Sequence, residues 1–235
     1  MNIYALQTAR AGSKSVPSKN ILEIQGKPLY LHNVDAAIEC EKVKDIYIST
    51  DCEYIKSDHQ QRGYKILHRS EDLCGDNASH HEVMRESLIQ IEKDIDSKVD
   101  ILVVLLGNSM GASSQDLDKA INILLDNKGA DSVQSVSEFN MFNPFRALRI
   151  NNNKLESIIP QEEIKRQSKI SNINDKKSCG DVYFFNGSFW VCKRHAIIEK
   201  GLLPFTWLGY NIVPYVQDTV FELDASWQIT NMESK

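Results

Sequence analysis

The sequence predicts an α/β protein built on a mainly parallel, doubly wound sheet. Three observations predict it. Apolar runs of strand length alternate with helical patterns through the first half. The strongest run, Ile101-Leu102-Val103-Val104-Leu105-Leu106, is continuous, as in a strand buried on both faces of a parallel sheet. A loop of small and cationic residues directly follows the first strand, where open α/β sheets bind ligands.

Each element has its own signal. Ile3 to Gln7 is the first strand. Pro28 opens a helix in which Leu31, Val34 and Ile38 share a face. Asp45 to Ser49 is the second strand and Lys65 to His68 a shorter third. Ser79-His80-His81-Glu82 is a capping-box pattern ahead of Met84, Leu88 and Ile91. Adjacent histidines do not share a helix face, so His80 and His81 are taken as helix-start residues and not as metal ligands. Ser114 is the expected cap of a helix carrying Leu117, Ala120, Ile121 and Leu124, which Gly129 ends. Ser132 to Val136 is a fifth strand. From about Ser137 the chain turns polar, and residues 138–182 are expected to form a β-rich insertion within a single domain of 1–235. That insertion packs against another subunit or covers the site. Tyr183 to Phe185 and Phe189 to Val191 restore strand character, Thr219 to Asp224 is a late strand, and Ser226 caps a short final helix.

Composition narrows the function. A chain of 235 residues holds one large domain with an insertion. A formal charge of -5 argues against a nucleic-acid partner, although a few cations concentrated in one cleft still suffice for a small polyanion. No stretch approaches the roughly 20 apolar residues that span a bilayer, so no membrane partner is expected. The opening residues read as a strand and not a signal peptide. The 5 cysteines are scattered without CxxC spacing, which suggests neither zinc nor a disulfide framework and fits reduced thiols in the cytoplasm.

Four segments carry chemistry. Ala9 to Asn20 holds Arg10, Lys14 and Lys19 with Gly12 and small hydroxyl residues such as Ser13, which suits a phosphate cradle but matches neither GxxxxGK[ST] nor GxGxxG. Ser49-Thr50-Asp51 ends the second strand, where Asp51 caps the next helix or faces a ligand; taken alone, the cap is favoured. Arg69 with Asp76 is as well explained by a surface turn as by a ligand contact. In Glu222-Leu223-Asp224 the two acids sit at i and i+2, on one face and about 6.8 Å apart at Cα, with Leu223 turned to the core. Such a pair can share Mg²⁺, whose oxygen ligands lie at about 2.1 Å. Taken alone the triplet is better explained as an exposed acidic strand; a phosphate loop on the same chain raises the metal reading sharply.

Together these segments resemble the acylneuraminate cytidylyltransferases, the CMP-sialic acid synthetase family that includes legionaminate and pseudaminate enzymes. Arg10, Gly12, Ser13, Lys14, Lys19 and Asn20 match its N-terminal signature; Gly26-Lys27-Pro28-Leu29, Ser49-Thr50-Asp51, Arg69 with Asp76, Arg166-Gln167, and Asn186-Gly187 match later elements in order. The resemblance implies a Rossmann-like nucleotide-diphospho-sugar transferase fold, CTP as co-substrate, Mg²⁺, an acidic sugar as acceptor, and a homodimer in which the insertion closes the neighbour's site. It further implies that the matched loop residues, Arg69 and Asp76 surround CTP, with Arg10 and Lys19 offsetting charge in catalysis. By the same resemblance Arg146, Arg166, Gln167 and Asn186 lie near the sugar, and Glu222 and Asp224 hold metal. The family's LQPTSPLR segment is replaced by Leu106-Gly107-Asn108-Ser109-Met110-Gly111-Ala112. That departure leaves three alternatives open: a sialic, legionaminic or pseudaminic acceptor, another acid such as Kdo or a phosphonate, or a nucleotide-binding homologue without catalysis.

Overall fold

A computed structural model describes residues 1–75, 77–218 and 221–233. They fall into two compact units, one of residues 1–75, 77–135, 186–215 and 221–233, the other of 136–185 and 216–218.

In the first unit, β1 (Ile3–Thr8) leads through the cationic loop to a short antiparallel ribbon, β2 (Glu23–Ile24) and β3 (Lys27–Pro28). α1 (Leu29–Glu39), β4 (Ile46–Ser49), α2 (Glu53–Arg62), β5 (Lys65–Leu67) and α3 (His80–Asp94) follow. Then come β6 (Ile101–Leu106), β7 (Ser109–Met110), α4 (Ser114–Asp126) and β8 (Ser132–Glu138). After the second unit's β9 (Leu148–Asn151), β10 (Lys154–Ser157) and α5 (Gln161–Ser168) come β11 (Tyr183–Lys193), α6 (Arg194–Ile198), β12 (Ile212–Val216), β13 (Phe221–Glu222) and α7 (Gln228–Glu233).

The main sheet has seven strands in the order β12-β8-β11-β6-β1-β4-β5. β6, β1, β4 and β5 are parallel, and β11 joins β6 antiparallel. The continuous apolar run of β6 is buried from Ile101 to Leu105, with Leu102 to Leu105 fully enclosed and Leu106 half-buried at its end. From β1 the chain winds outward to β4 and β5, then returns to lay β6 on the other side of β1. That reversal opens a crevice at the carboxyl ends of β1 and β6, into which the loops after both strands project.

Several local expectations shift. Ser113, not Ser114, caps α4: its Oγ accepts from Asp116 N at 3.1 Å. The helix ends at Asp126, before Gly129, because Asn127 leaves helical geometry. Leu31 and Val34 are buried on α1 as expected, whereas Ile38 is half exposed because it lies past the edge of the packed face. The two strand fragments flanking Asn186-Gly187 form the one strand β11, with Gly187 at φ 77° inside it. Of the late strand only Phe221–Glu222 is paired, and Thr219 and Val220 lie outside the described residues. Gln228 Oε1, rather than Ser226 Oγ, accepts from the backbone ahead of α7, taking the amides of Asp224 and Ala225 at 2.7 Å each.

In the second unit β9 and β10 form a hairpin turned by Asn152-Asn153, both at positive φ, a conformation asparagine tolerates. Helix α5 lies beside it in sequence, so the segment is not purely β. Polar side chains brace the unit: Asn143 Nδ2 donates to Ser178 Oγ at 2.7 Å, and Asn140 Oδ1 accepts from Val182 N at 2.8 Å.

Candidate active site

The loop after β1 is held by the strand beside it. Ala9 N donates to Ser49 O, Thr50 Oγ1 donates to Ala9 O, and Ala11 N donates to Asp51 Oδ1 at 2.6 Å. Asp51 is therefore not a helix cap, which corrects the local reading; Cys52 takes the cap position of α2 with no side-chain bond. Asn20 is buried and donates its Nδ2 to Arg10 O at 2.8 Å, tying the two ends of the loop together. Gly12 faces open space, Ser13 is partly exposed and Lys14 exposed. Ser18 adopts the left-handed conformation, φ 54°, immediately before Lys19, the kind of local strain that persists where the surroundings over-determine it.

The acidic triplet meets this loop. Lys19 Nζ lies 2.6 Å from Asp224 Oδ1, bridging 205 positions of sequence. The physical reason is a shared satellite core: Val16 from the loop and Leu223 from the triplet are buried in one cluster with Ile24, Leu29 and Met232. Leu223 turns inward as the i, i+2 spacing requires, leaving Glu222 and Asp224 on the crevice side. Burial pushes the Glu222 carboxyl up to about 7, and the charge and hydrogen bond of Asp224 push the same way, against Lys19. Glu222 reaches this position because residue 187 is glycine: a Cβ there would stand 2.7 Å from Glu222 Cβ.

Arg10 and Arg69 form the cationic wall. Arg10 Nη1 donates to Cys74 O at 3.5 Å and Arg69 Nε to Leu73 O at 2.9 Å. Burial, with Arg10 adding to it, lowers the Arg69 pKa, while Cys74 and Asp51 oppose. Arg10 is near enough to act electrostatically on Arg69, and such a pair of guanidiniums favours an anion. Asp76 lies outside the described residues.

The acceptor-side residues are distributed differently. Arg146, Arg166 and Gln167 belong to the second unit. Arg146 is exposed in the turn Pro144–Arg146, Arg166 pairs with Glu163 at 2.5 Å, and Gln167 donates to Ser171 Oγ and Ser178 O at 3.1 and 2.9 Å. Asn186, in the first unit, is buried, and its Oδ1 accepts from Ser135 Oγ at 2.8 Å and Ser188 N at 3.1 Å.

His80 stands beside the crevice, at the end of β1, a placement that sequence reasoning missed. Its Nε2 lies 3.1 Å from Thr8 Oγ1 at the tip of β1, and its ring lies 5.1 Å from Trp207 and 5.7 Å from Trp190. Burial, then Arg69 and His81, lower its pKa to about 4, so it stays neutral near pH 7. The available signal was the capping box, which sets His80 at the first position of a helix starting from the ligand end of the sheet. His81 is structural: it bonds Thr206 Oγ1 and Ile197 O, each at 2.7 Å.

This fold and crevice define an α/β protein in which a cationic loop and an acidic pair face each other at the switch point of the sheet. Residues 5–195 match the protein family described as Cytidylyltransferase, and the chain belongs to that family. It is similar to an N-acylneuraminate cytidylyltransferase of Streptococcus agalactiae, 38% identical over 86 residues, which are 36% of this chain and 21% of that protein. The chain thus spans about a fifth of that relative's length. It is also similar to the CMP-N,N'-diacetyllegionaminic acid synthase of Campylobacter jejuni, 28% identical over 221 residues, 92% of this chain and 87% of that one. In structure it resembles CMP:2-keto-3-deoxy-manno-octonic acid synthetase complexed with CTP, with a TM-score of 0.70 and 15% identity over 100% of this chain and 98% of the other. At that identity the likeness shows the fold.

Proposed function

We propose that the chain transfers CMP from CTP to the anomeric hydroxyl of a nonulosonic acid of the sialic, legionaminic or pseudaminic type. The observation that carries this reading is the Lys19–Asp224 contact, which puts the cationic loop and the acidic pair on one crevice. The hydroxyl oxygen attacks the α-phosphorus of CTP, the bond from that phosphorus to the bridging oxygen breaks, pyrophosphate leaves, and the hydroxyl proton passes to water. Such a displacement depends on positioning and charge neutralisation rather than on a covalent nucleophile. Arg10, Lys14, Lys19 and Arg69 offset triphosphate charge, with Gly12 and Ser13 admitting the ligand to the loop backbone. Asn20 acts by holding Arg10. Asp76 is assigned to the nucleotide by resemblance.

Glu222 and Asp224 fit Mg²⁺. They are two hard oxygen donors close enough to share a hydrogen bond, and their mutual repulsion is relieved by a cation. Among the described residues no third acidic, histidine or cysteine side chain joins a metal cluster, which suits an ion that keeps open positions for phosphate oxygens and water. When bound, Mg²⁺ neutralises phosphate charge.

Arg146, Arg166, Gln167 and Asn186 are assigned to acceptor binding by resemblance. The second unit is assigned to dimerisation and site closure: Leu148, Ile150 and Leu155 share one face of its hairpin, each more than half exposed. None of the 5 cysteines is in a disulfide and no helix among the described residues is long and apolar enough to cross a membrane, which fits a cytoplasmic enzyme. The experiment is coupled pyrophosphate detection with CTP against sialic, legionaminic, pseudaminic and Kdo acceptors. Turnover with one of the first three is expected. Turnover confined to Kdo, or CTP binding with no turnover on any acceptor, would overturn the acceptor class or the catalytic reading respectively.

A further inference from the structure

The segment that departs most from the family pattern is also the one that braces the acidic triplet. Among the described residues β13 lies in a two-stranded sheet apart from the main one. Its only strand partner among the described residues is β7, with Glu222 opposite Ser109. Leu223 N donates to Asn108 O at 2.7 Å, and Asn108 Nδ2 reaches Leu223 O at 3.4 Å and Asp224 Oδ1 at 3.3 Å. The buried Leu223 side chain fixes how deep the triplet sits, but apolar contact is non-directional and does not fix where the flanking carboxylates point. Hydrogen bonds to β7 and Asn108 do.

β7 in turn is held by one side chain. Asn33 on α1 is fully buried, and the two hydrogens of its Nδ2 serve Leu106 O at 3.0 Å and, shared between two acceptors, Ser109 O and Oγ at 3.1 and 3.0 Å. Its Oδ1 accepts from Ala112 N at 3.4 Å. One carboxamide thus joins both ends and the middle of the segment to the helix behind it.

We propose that Asn33 is a positioning residue which, through the 106–112 segment and the last contact from Asn108, sets the separation and aim of Glu222 and Asp224 for a divalent cation. The inference rests on the reading of that pair as cation ligands. Asn33 touches neither carboxylate; it acts through β7, as outer-shell partners do when they orient metal ligands.

The test uses the full chain with Mn²⁺ as the probe, its binding followed by the loss of the free-ion EPR signal. Asn33→Asp keeps the shape and the acceptor but removes both N–H donors that hold Leu106 and Ser109. Asn108→Ala cuts only the contacts at the crevice edge. Each variant is expected to weaken Mn²⁺ binding by about tenfold or more, while Asn108→Ala leaves the melting temperature and the CTP affinity measured in EDTA unchanged. If Asn33→Asp fails to fold, Asn108→Ala decides alone. Unchanged Mn²⁺ affinity in the folded variants would sink the inference while leaving the ligand assignment standing. Mn²⁺ affinity that is also indifferent to Glu222→Gln would remove the ligand assignment, and the inference with it.

Discussion

Replacing Gly107 by alanine tests how tightly the two crevice loops are fitted. Gly107 N donates to Thr8 O at 3.0 Å, which pins its backbone to the end of β1. A Cβ at this position would lie 2.7 Å from Ala9 Cβ, and 3.3 Å from both Ala9 Cα and Asn20 Oδ1. Carbon atoms rest at about 3.5–4.0 Å, so the two backbones must separate by about 1 Å. Ala9 has no room to yield sideways: it is 1% exposed and bonded through both its amide and its carbonyl. The displacement therefore passes into Arg10, whose carbonyl Asn20 holds. Overpacking of this kind costs about 1–3 kcal/mol, or about 2–12 °C of melting temperature for a chain of this size. A misplacement near 1 Å at a positioning residue lowers turnover by about 100-fold. Thermal melting, CTP titration and pyrophosphate release measure the three effects. A Gly107→Ala protein with wild-type melting, CTP affinity and turnover would refute the argument that the loops are in contact-limited register.

Two further outcomes follow from the same geometry. Lys19→Ala leaves Asp224 without its ammonium and is expected to lower turnover by about 100-fold with little change in melting, because Asp224 is more than half exposed; a loss of pyrophosphate release matched by a loss of fold would contradict this. Acid is expected to destabilise the protein in two stages. His80 resists protonation until about pH 4, so the unfolded chain binds that proton first and stability falls as pH drops from about 6.5. For Glu92, burial pushes the carboxyl up, but Arg194 at 2.6 Å, Lys98 at 3.0 Å and Val99 N at 3.1 Å outweigh it and hold it at about 2. That contribution, about 3 kcal/mol, is complete above the unfolded pKa and is lost as pH falls toward 2. Melting curves of His80→Gln and Glu92→Gln should each flatten the corresponding stage, and an unaltered pH profile would refute the assignment.

Much of the crevice was legible before any coordinates. The loop after the first strand, the inward Leu223 and the buried run of β6 followed from spacing and chain order alone. The partners of polar side chains did not. Asp51 has the character of a cap and instead accepts from Ala11 N across the sheet. Asn33 sits on a helix face otherwise read for its apolar residues, and nothing local distinguishes a buried carboxamide with both its oxygen and its nitrogen bonded from an exposed one. His80 differs from a surface residue only through Thr8, Trp190 and Trp207, which lie 72 to 127 positions away in the chain.

The sequence by itself determined the alternation of the principal strands β1, β4, β5, β6 and β8 with the helices α1, α3 and α4, the chemical content of the loop and the triplet, and the face on which the two acids stand. These depend on alternation, capping and turn residues, all short-range. Only the tertiary structure decided that Lys19 meets Asp224, that a glycine at 107 lets two loops touch, and that Asn33 carries the segment bracing the acids. The first follows from the core that Val16 and Leu223 share, the second from the close approach of two backbones, and the third from burial, which removes water and obliges a carboxamide to find partners that only the packing of distant segments supplies.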